Sequence, residues 1–217
     1  MGAEPAASTR VLLLPGAFDS AREFERAGFA AAVVARQLPL ELRFTELEFS
    51  DMTDRSMLDR LHAGPVAEAR HGGAAVWLAG ISLGGFLAIS YAERYRGELA
   101  GLCLIAPYLG TRLTSAAIAR AGGLAAWKPD AALAEDEDQR LWQFLALPAA
   151  RRCPVYLGFG RDDRFSDGHR LLAAALPGGS VDVVDGGHDW SAWRRVWDCF
   201  LDRWRTQGAA ALAGSAA

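Results

Sequence analysis

The pentapeptide Gly80-Ile81-Ser82-Leu83-Gly84 lies between an apolar run, Ala74 to Ala79, and a helix-period segment, Leu83 to Tyr95. At so sharp a strand-to-helix turn the central residue is held in strained backbone with its side chain exposed. Its neighbours must be small for the two backbones to pass. The helix N-terminus beneath it supplies free N–H groups and the positive end of a dipole. A serine hydroxyl is a poor nucleophile until a base takes its proton, so Ser82 calls for a histidine, itself oriented by a carboxylate. Of the four histidines, His62 and His71 precede the serine and His169 begins a helix, positions typical of surface or helix-end side chains. His188 stands apart, because Asp185-Gly186-Gly187-His188-Asp189-Trp190 follows the last strand and opens the last helix. Open α/β sheets keep their sites in loops at that carboxyl edge. The loop after the preceding strand, Gly160-Arg161-Asp162-Asp163-Arg164-Phe165, offers Asp162 and Asp163 as the acid. Attack on a carbonyl leaves an oxyanion, for which the Leu83 N–H is one candidate donor. The turn Leu14-Pro15-Gly16-Ala17-Phe18 offers the amide of Ala17 or Phe18 as a second.

These side chains need a scaffold that brings distant loops to one edge. Apolar runs at Arg10 to Leu14, Leu42 to Leu47, Ala74 to Ala79, Ala100 to Ile105, Pro154 to Phe159 and Val181 to Val184 read as strands. Helical stretches alternate with them: Ala21 to Gln37, Ser56 to Arg70, Leu83 to Tyr95, Gly168 to Leu176 and Trp190 to Arg205. Continuous apolar strands, each followed by a helix, predict a mostly parallel sheet covered on both faces. The expected fold is therefore α/β, a three-layer α/β/α sandwich, in one domain over residues 10–206. In the last helix, Trp190, Trp193, Trp197, Phe200, Leu201 and Trp204 form a core-facing stripe. Tyr108 to Pro148 breaks the rhythm with helical patches and no strand, and is expected to be a lid-like helical insertion. Its aromatic residues could line a pocket or pack a small core of their own. Residues 1–9 are expected to be flexible, and 207–217, without periodicity, disordered.

Composition narrows the chemistry further. The chain has 217 residues, 51% of them hydrophobic, and a formal charge of −3, which argues against disorder and against a nucleic-acid partner. Its one lysine, Lys128, has no Gly-rich phosphate loop before it, which removes P-loop and Schiff-base chemistry. Cys103, Cys153 and Cys199 are odd in number and set in apolar runs, as expected of thiols in a reducing compartment. The first nine residues lack the basic start and apolar stretch of a signal peptide, so a cytoplasmic location is expected. Gly72 to Ala92 carries no charge, but Gly80, Ser82, Gly84 and Gly85 divide it into a buried strand and a buried helix rather than a membrane span. Gly158-Phe159-Gly160 lacks the third glycine of a dinucleotide-binding loop.

Over Arg10 to Arg205 the chain resembles the α/β-hydrolase superfamily, in particular its serine esterases. The resemblance rests on Pro15-Gly16-Ala17, Gly80-Ile81-Ser82-Leu83-Gly84, Gly160-Arg161-Asp162-Asp163 and Gly187-His188, in that order. It implies a catalytic triad of Ser82, Asp163 and His188, the Gly-x-x-Asp loop favouring Asp163 over Asp162, with Ala17 and Leu83 at the oxyanion hole. His188-Asp189-Trp190 is similar to the esterase branch that includes S-formylglutathione hydrolases. Two strands that commonly open the fold are missing, which implies a sheet of about six strands. The oxyanion loop has Pro15-Gly16 where the family often has His-Gly, which leaves the substrate type open. The implied activity is hydrolysis of a carboxylic ester of a small apolar molecule through an acyl-enzyme, without metal or organic cofactor. Phe18, Tyr108 and Trp127 are candidate substrate contacts. A thioester, an amide or a carbon–carbon bond could be cleaved by the same triad, and a non-catalytic binding module could be built on the same scaffold.

Overall fold

A computed structural model gives the structure of residues 9–17, 19–45, 56–133, 136–147 and 153–211, with side chains as far as residue 206. Six strands, β1 (Thr9–Leu14), β2 (Leu40–Phe44), β3 (Ala75–Ile81), β4 (Gly101–Ile105), β5 (Val155–Gly160) and β6 (Val181–Val184), form one sheet in the order β2-β1-β3-β4-β5-β6. Every neighbouring pair is parallel. The inner strands are almost entirely buried, whereas β2 and β6 at the edges are half-exposed. Leu14 pairs with Gly80, Ile81 with Ile105, and Ile105 with Gly158, so the inner strands end together. From β1 the chain steps outward to β2 and then returns past β1 to β3. The sheet thus reverses direction between β1 and β3, which opens a crevice at their carboxyl ends.

Alternation along the strands assigns the helices to two faces. Trp77 meets Phe200 and Trp204 of α9 (Trp190–Ala211), and a Cβ on Gly158 would strike Val196 of the same helix. Trp197 stacks on Phe29 at 5.1 Å and donates to its carbonyl, which joins α1 (Ala21–Arg26) and α2 (Phe29–Ala35) to this face. Gly80 faces the other way, onto α5 (Leu83–Arg94), and so does Phe159, onto His169 of α8 (Ser166–Ala173). On that side α3 (Ser56–Leu61) is tied to α5 by the Arg94–Asp59 ion pair, and α4 (Ala67–His71) packs on β3. The result is the three-layer α/β/α sandwich with six parallel strands that the sequence predicts.

Some boundaries differ from expectation. The segment expected as one helix from Ala21 to Gln37 is two, because Gly28 takes φ = 75° and starts α2 on a new axis. Ser56 to Arg70 contains a wide turn at His62–Val66, where Gly64 leaves helical geometry and Pro65 has no N–H to donate. The last helix runs past Arg205 to Ala211, into part of the segment expected to lack order. Residues 1–8 and 212–217, with Leu47 and Pro148, lie outside the described residues.

Between β4 and β5 the chain forms α6 (Arg112–Arg120), a short 3-10 turn (Ala131–Leu133) and α7 (Glu137–Ala146), with no strand among the described residues. Trp142 and Phe144 of α7 are buried, and the Trp142 Nε1–H donates to the Leu109 carbonyl at 2.9 Å. Of the two roles open to them, core packing is the one they fill, with α7 laid on α5 as a crossover helix. No helix of the described residues is long and apolar enough to cross a membrane. The uncharged stretch from Gly72 to Ala92 is β3 turning into α5.

Candidate active site

Ser82 lies in the turn between β3 and α5 with φ = 50° and ψ = −113°, a conformation that a side chain adopts only under strain. The surroundings impose it. Its N–H donates to the Ile105 carbonyl, and its own carbonyl accepts from Gly85, Phe86 and Tyr108. The flanking glycines are required by close approach, not by φ. A Cβ on Gly80 would lie 2.2 Å from the Gly84 carbonyl oxygen, and one on Gly84 would lie 2.2 Å from that of Leu14.

His188, in the loop between β6 and α9, reaches Ser82 Oγ with Nε2 at 3.0 Å and an Asp163 oxygen with Nδ1 at 2.7 Å. Gly160 permits this meeting of loops, since its Cβ position is 2.3 Å from the Gly186 carbonyl oxygen. Asp163 is 3% exposed and Asp162 points to solvent, so Asp163 is the carboxylate brought to the histidine. Burial alone would raise the Asp163 pKa. The hydrogen bond from His188 and the Phe165 N–H, 2.8 Å from the second carboxylate oxygen, outweigh it and hold the group below the usual carboxylate range.

The β1 turn closes the crevice from the other side. The Cβ position of Gly16 is 3.6 Å from Ser82 Cβ, which sets the turn after β1 beside the serine. Leu83 opens α5, where a helix leaves its first N–H groups without partners in the helix. Tyr108 lies against Phe165 and Phe86, at 5.9 and 5.8 Å between ring centroids. Trp127 packs half-buried against the core, and the described ring contacts do not bring it to the serine. Phe18 lies outside the described residues.

Several neighbours of the site escape a reading of motifs. Phe165 and Trp193 set their rings edge-on to His188, at 5.0 and 5.1 Å. Asp19 accepts from the Trp190 Nε1–H at 3.2 Å, and burial raises its pKa. His169 is fully buried, donates from Nε2 to the Pro107 carbonyl at 2.8 Å, and has no partner at Nδ1 among the described residues. Phe165 carries one signal in sequence, an aromatic residue two positions after the acid, where its N–H can cap the carboxylate. His169 carries none. Among the described residues no cluster of three or more His, Cys, Asp or Glu side chains could hold a metal ion.

The sequence profile of the serine aminopeptidase S33 family matches residues 52–142, which contain Ser82 but neither Asp163 nor His188. No curated protein matches the chain. Among solved structures, the substrate-bound fluorophosphonate-binding serine hydrolase F of Staphylococcus aureus superposes with a TM-score of 0.64 at 14% identity, over 95% of this chain and 86% of that one. S-formylglutathione hydrolase of the same organism gives 0.62 at 14% identity, over 94% and 82%. A thermophilic esterase from Thermogutta terrifontis gives 0.58 at 17% identity, over 92% and 90%. At these identities the likeness is one of fold.

Proposed function

We propose that this chain, which has the α/β-hydrolase fold, is a serine hydrolase that cleaves a carboxylic ester through an acyl-enzyme on Ser82. The observation that carries the reading is the continuous relay from Ser82 Oγ through His188 to buried Asp163. With Nδ1–H donated to Asp163, the bare Nε2 accepts the Ser82 proton as Oγ attacks the carbonyl carbon. The oxyanion then faces the N–H groups of Leu83 and Ala17, and one such donor is typically worth about 3–4 kcal/mol in the transition state. When the tetrahedral intermediate collapses, the imidazolium gives its proton to the leaving oxygen. Water then enters, loses a proton to Nε2 and releases the acid by the same steps in reverse. Phe165, Trp193 and Tyr108 give the surroundings of His188 an apolar character suited to a small apolar group next to the scissile bond. Such a substrate needs no metal or organic cofactor.

The test is intact-mass analysis after exposure to a fluorophosphonate probe, with turnover of 4-nitrophenyl esters of increasing chain length. Single labelling that disappears in Ser82→Ala, together with turnover lost in that variant, is the expected result. A folded wild-type protein that is neither labelled nor active would replace this reading with that of a non-catalytic binding module.

A further inference from the structure

A groove of about 600 Å³ runs between α6 and α8, and Phe165 forms part of its wall. That volume suits a small organic ligand. Its lining combines apolar side chains, Leu109 and Leu171 among them, with three arginines, Arg112, Arg164 and Arg170, and a single carboxylate, Asp167. The whole chain carries −3, so a local excess of two positive charges runs against the molecule's average. Among the described residues no carboxylate pairs with these guanidinium groups. Arg164 lies over the Phe165 ring at 4.9 Å, and Arg170 gives one N–H to the Arg161 carbonyl. All three therefore keep N–H donors, and a guanidinium fork matches a carboxylate in two parallel hydrogen bonds.

The groove also adjoins the chemistry. The Phe165 ring that lines it sits 5.0 Å from the His188 ring, and Pro107, also in the lining, precedes the residue whose N–H holds the Ser82 carbonyl. We propose that the α6–α8 groove binds the far end of the acyl group, and that the preferred substrates are half-esters of dicarboxylic acids, an apolar chain ended by a free carboxylate. This rests on the serine hydrolase reading above. The chain lies along the apolar lining and the terminal carboxylate is clamped by Arg112 and Arg164. The groove takes no part in the bond changes: the ester C–O bond breaks as Ser82 acylates, and water completes the release of a dicarboxylate and an alcohol.

The experiment compares mono-4-nitrophenyl suberate with 4-nitrophenyl octanoate, which match in length and differ in the terminal charge. The wild type should prefer the suberate half-ester in kcat/KM, and Arg112→Gln/Arg164→Gln should reduce that preference at least about tenfold, the scale of one lost charge-assisted hydrogen bond. Both side chains are exposed, so the fold does not depend on them. An unchanged ratio would overturn the proposal. A second arm titrates suberate by calorimetry into Ser82→Ala protein with and without the two arginine substitutions. Binding lost with the arginines supports the groove as a carboxylate site even where the fluorophosphonate probe fails to label, in which case the hydrolase reading falls and the half-ester preference with it. Labelling without suberate binding and without charge preference retains the hydrolase and removes the groove.

Discussion

Each ring nitrogen of His188 has one partner, Ser82 on one side and Asp163 on the other, and a second histidine, His169, is buried against Phe159 and the Pro107 carbonyl. Burial lowers the pKa of His169 from 6.5 to about 4. The unfolded chain takes up this proton near pH 6.5, while the folded chain resists it until about pH 4. Stability that is complete above the unfolded value is therefore lost as the pH falls through this window, by about 3 kcal/mol. Urea unfolding at pH 7 and pH 4 should show that loss in the wild type and a correspondingly smaller one in His169→Gln. An equal decline in both would assign the acid sensitivity to other groups. Sequence motifs named Ser82, His188 and Asp163 because a Gly-rich turn, a loop at a strand exit and a Gly-x-x-Asp spacing are local patterns. His169 stayed hidden because its partner, the Pro107 carbonyl, is 62 residues away and only folding brings them together. Trp127 shows the opposite difficulty, since an aromatic residue reads alike in sequence whether it meets a substrate or packs against the core, and its ring is half-buried there.

Among the elements, the inner strands were legible almost to their ends because burial on both faces leaves a continuous apolar run, whereas the half-exposed edge strand β2 begins at Leu40 and ends at Phe44, ahead of the run Leu42 to Leu47 expected for it. The helices were legible as periodic stripes, but their interruptions were not. The stripe continues through Ala21 to Gln37, yet at Gly28 the backbone turns left-handed, and before α1 Ser20 caps the first turn through a reciprocal contact with Glu23. The nearest atom to a Cβ at Gly28 is 3.8 Å away, so no collision accompanies a substitution there. Gly28→Ala should therefore cost backbone strain alone, about 1–2 kcal/mol, read as a lower urea midpoint with unchanged slope. No loss of stability would mean that α1 and α2 can merge into the single helix that the periodicity suggested. The last helix erred the other way: its apolar stripe ends at Trp204, but helix continues to Ala211 through a run rich in alanine, the strongest helix former.

For the whole molecule, one sheet of parallel strands brings the loops after β1, β3, β5 and β6 to the same edge from positions spread between residues 14 and 190. That convergence follows from the strands being parallel, which the alternation of apolar runs and helices predicts, whereas which loops adjoin one another follows from strand order, which periodicity does not reveal. The segment between β4 and β5 was the least legible part, because its aromatic residues divide between two tasks. Trp142 and Phe144 of α7 complete the core, while α6 stands off against α8 and leaves the groove.

At that edge, backbone rests directly on backbone: Gly80 against Gly84, Gly84 against Leu14, and Gly160 against Gly186. Side chains can change rotamer as a protein warms, but peptide planes in mutual contact have no such slack. Gradual softening is thus closed to this edge, and heat must release it together with the sheet. The ester turnover proposed above and near-ultraviolet circular dichroism should disappear along one melting curve. Activity fading well below the optical transition would show that the edge comes apart first.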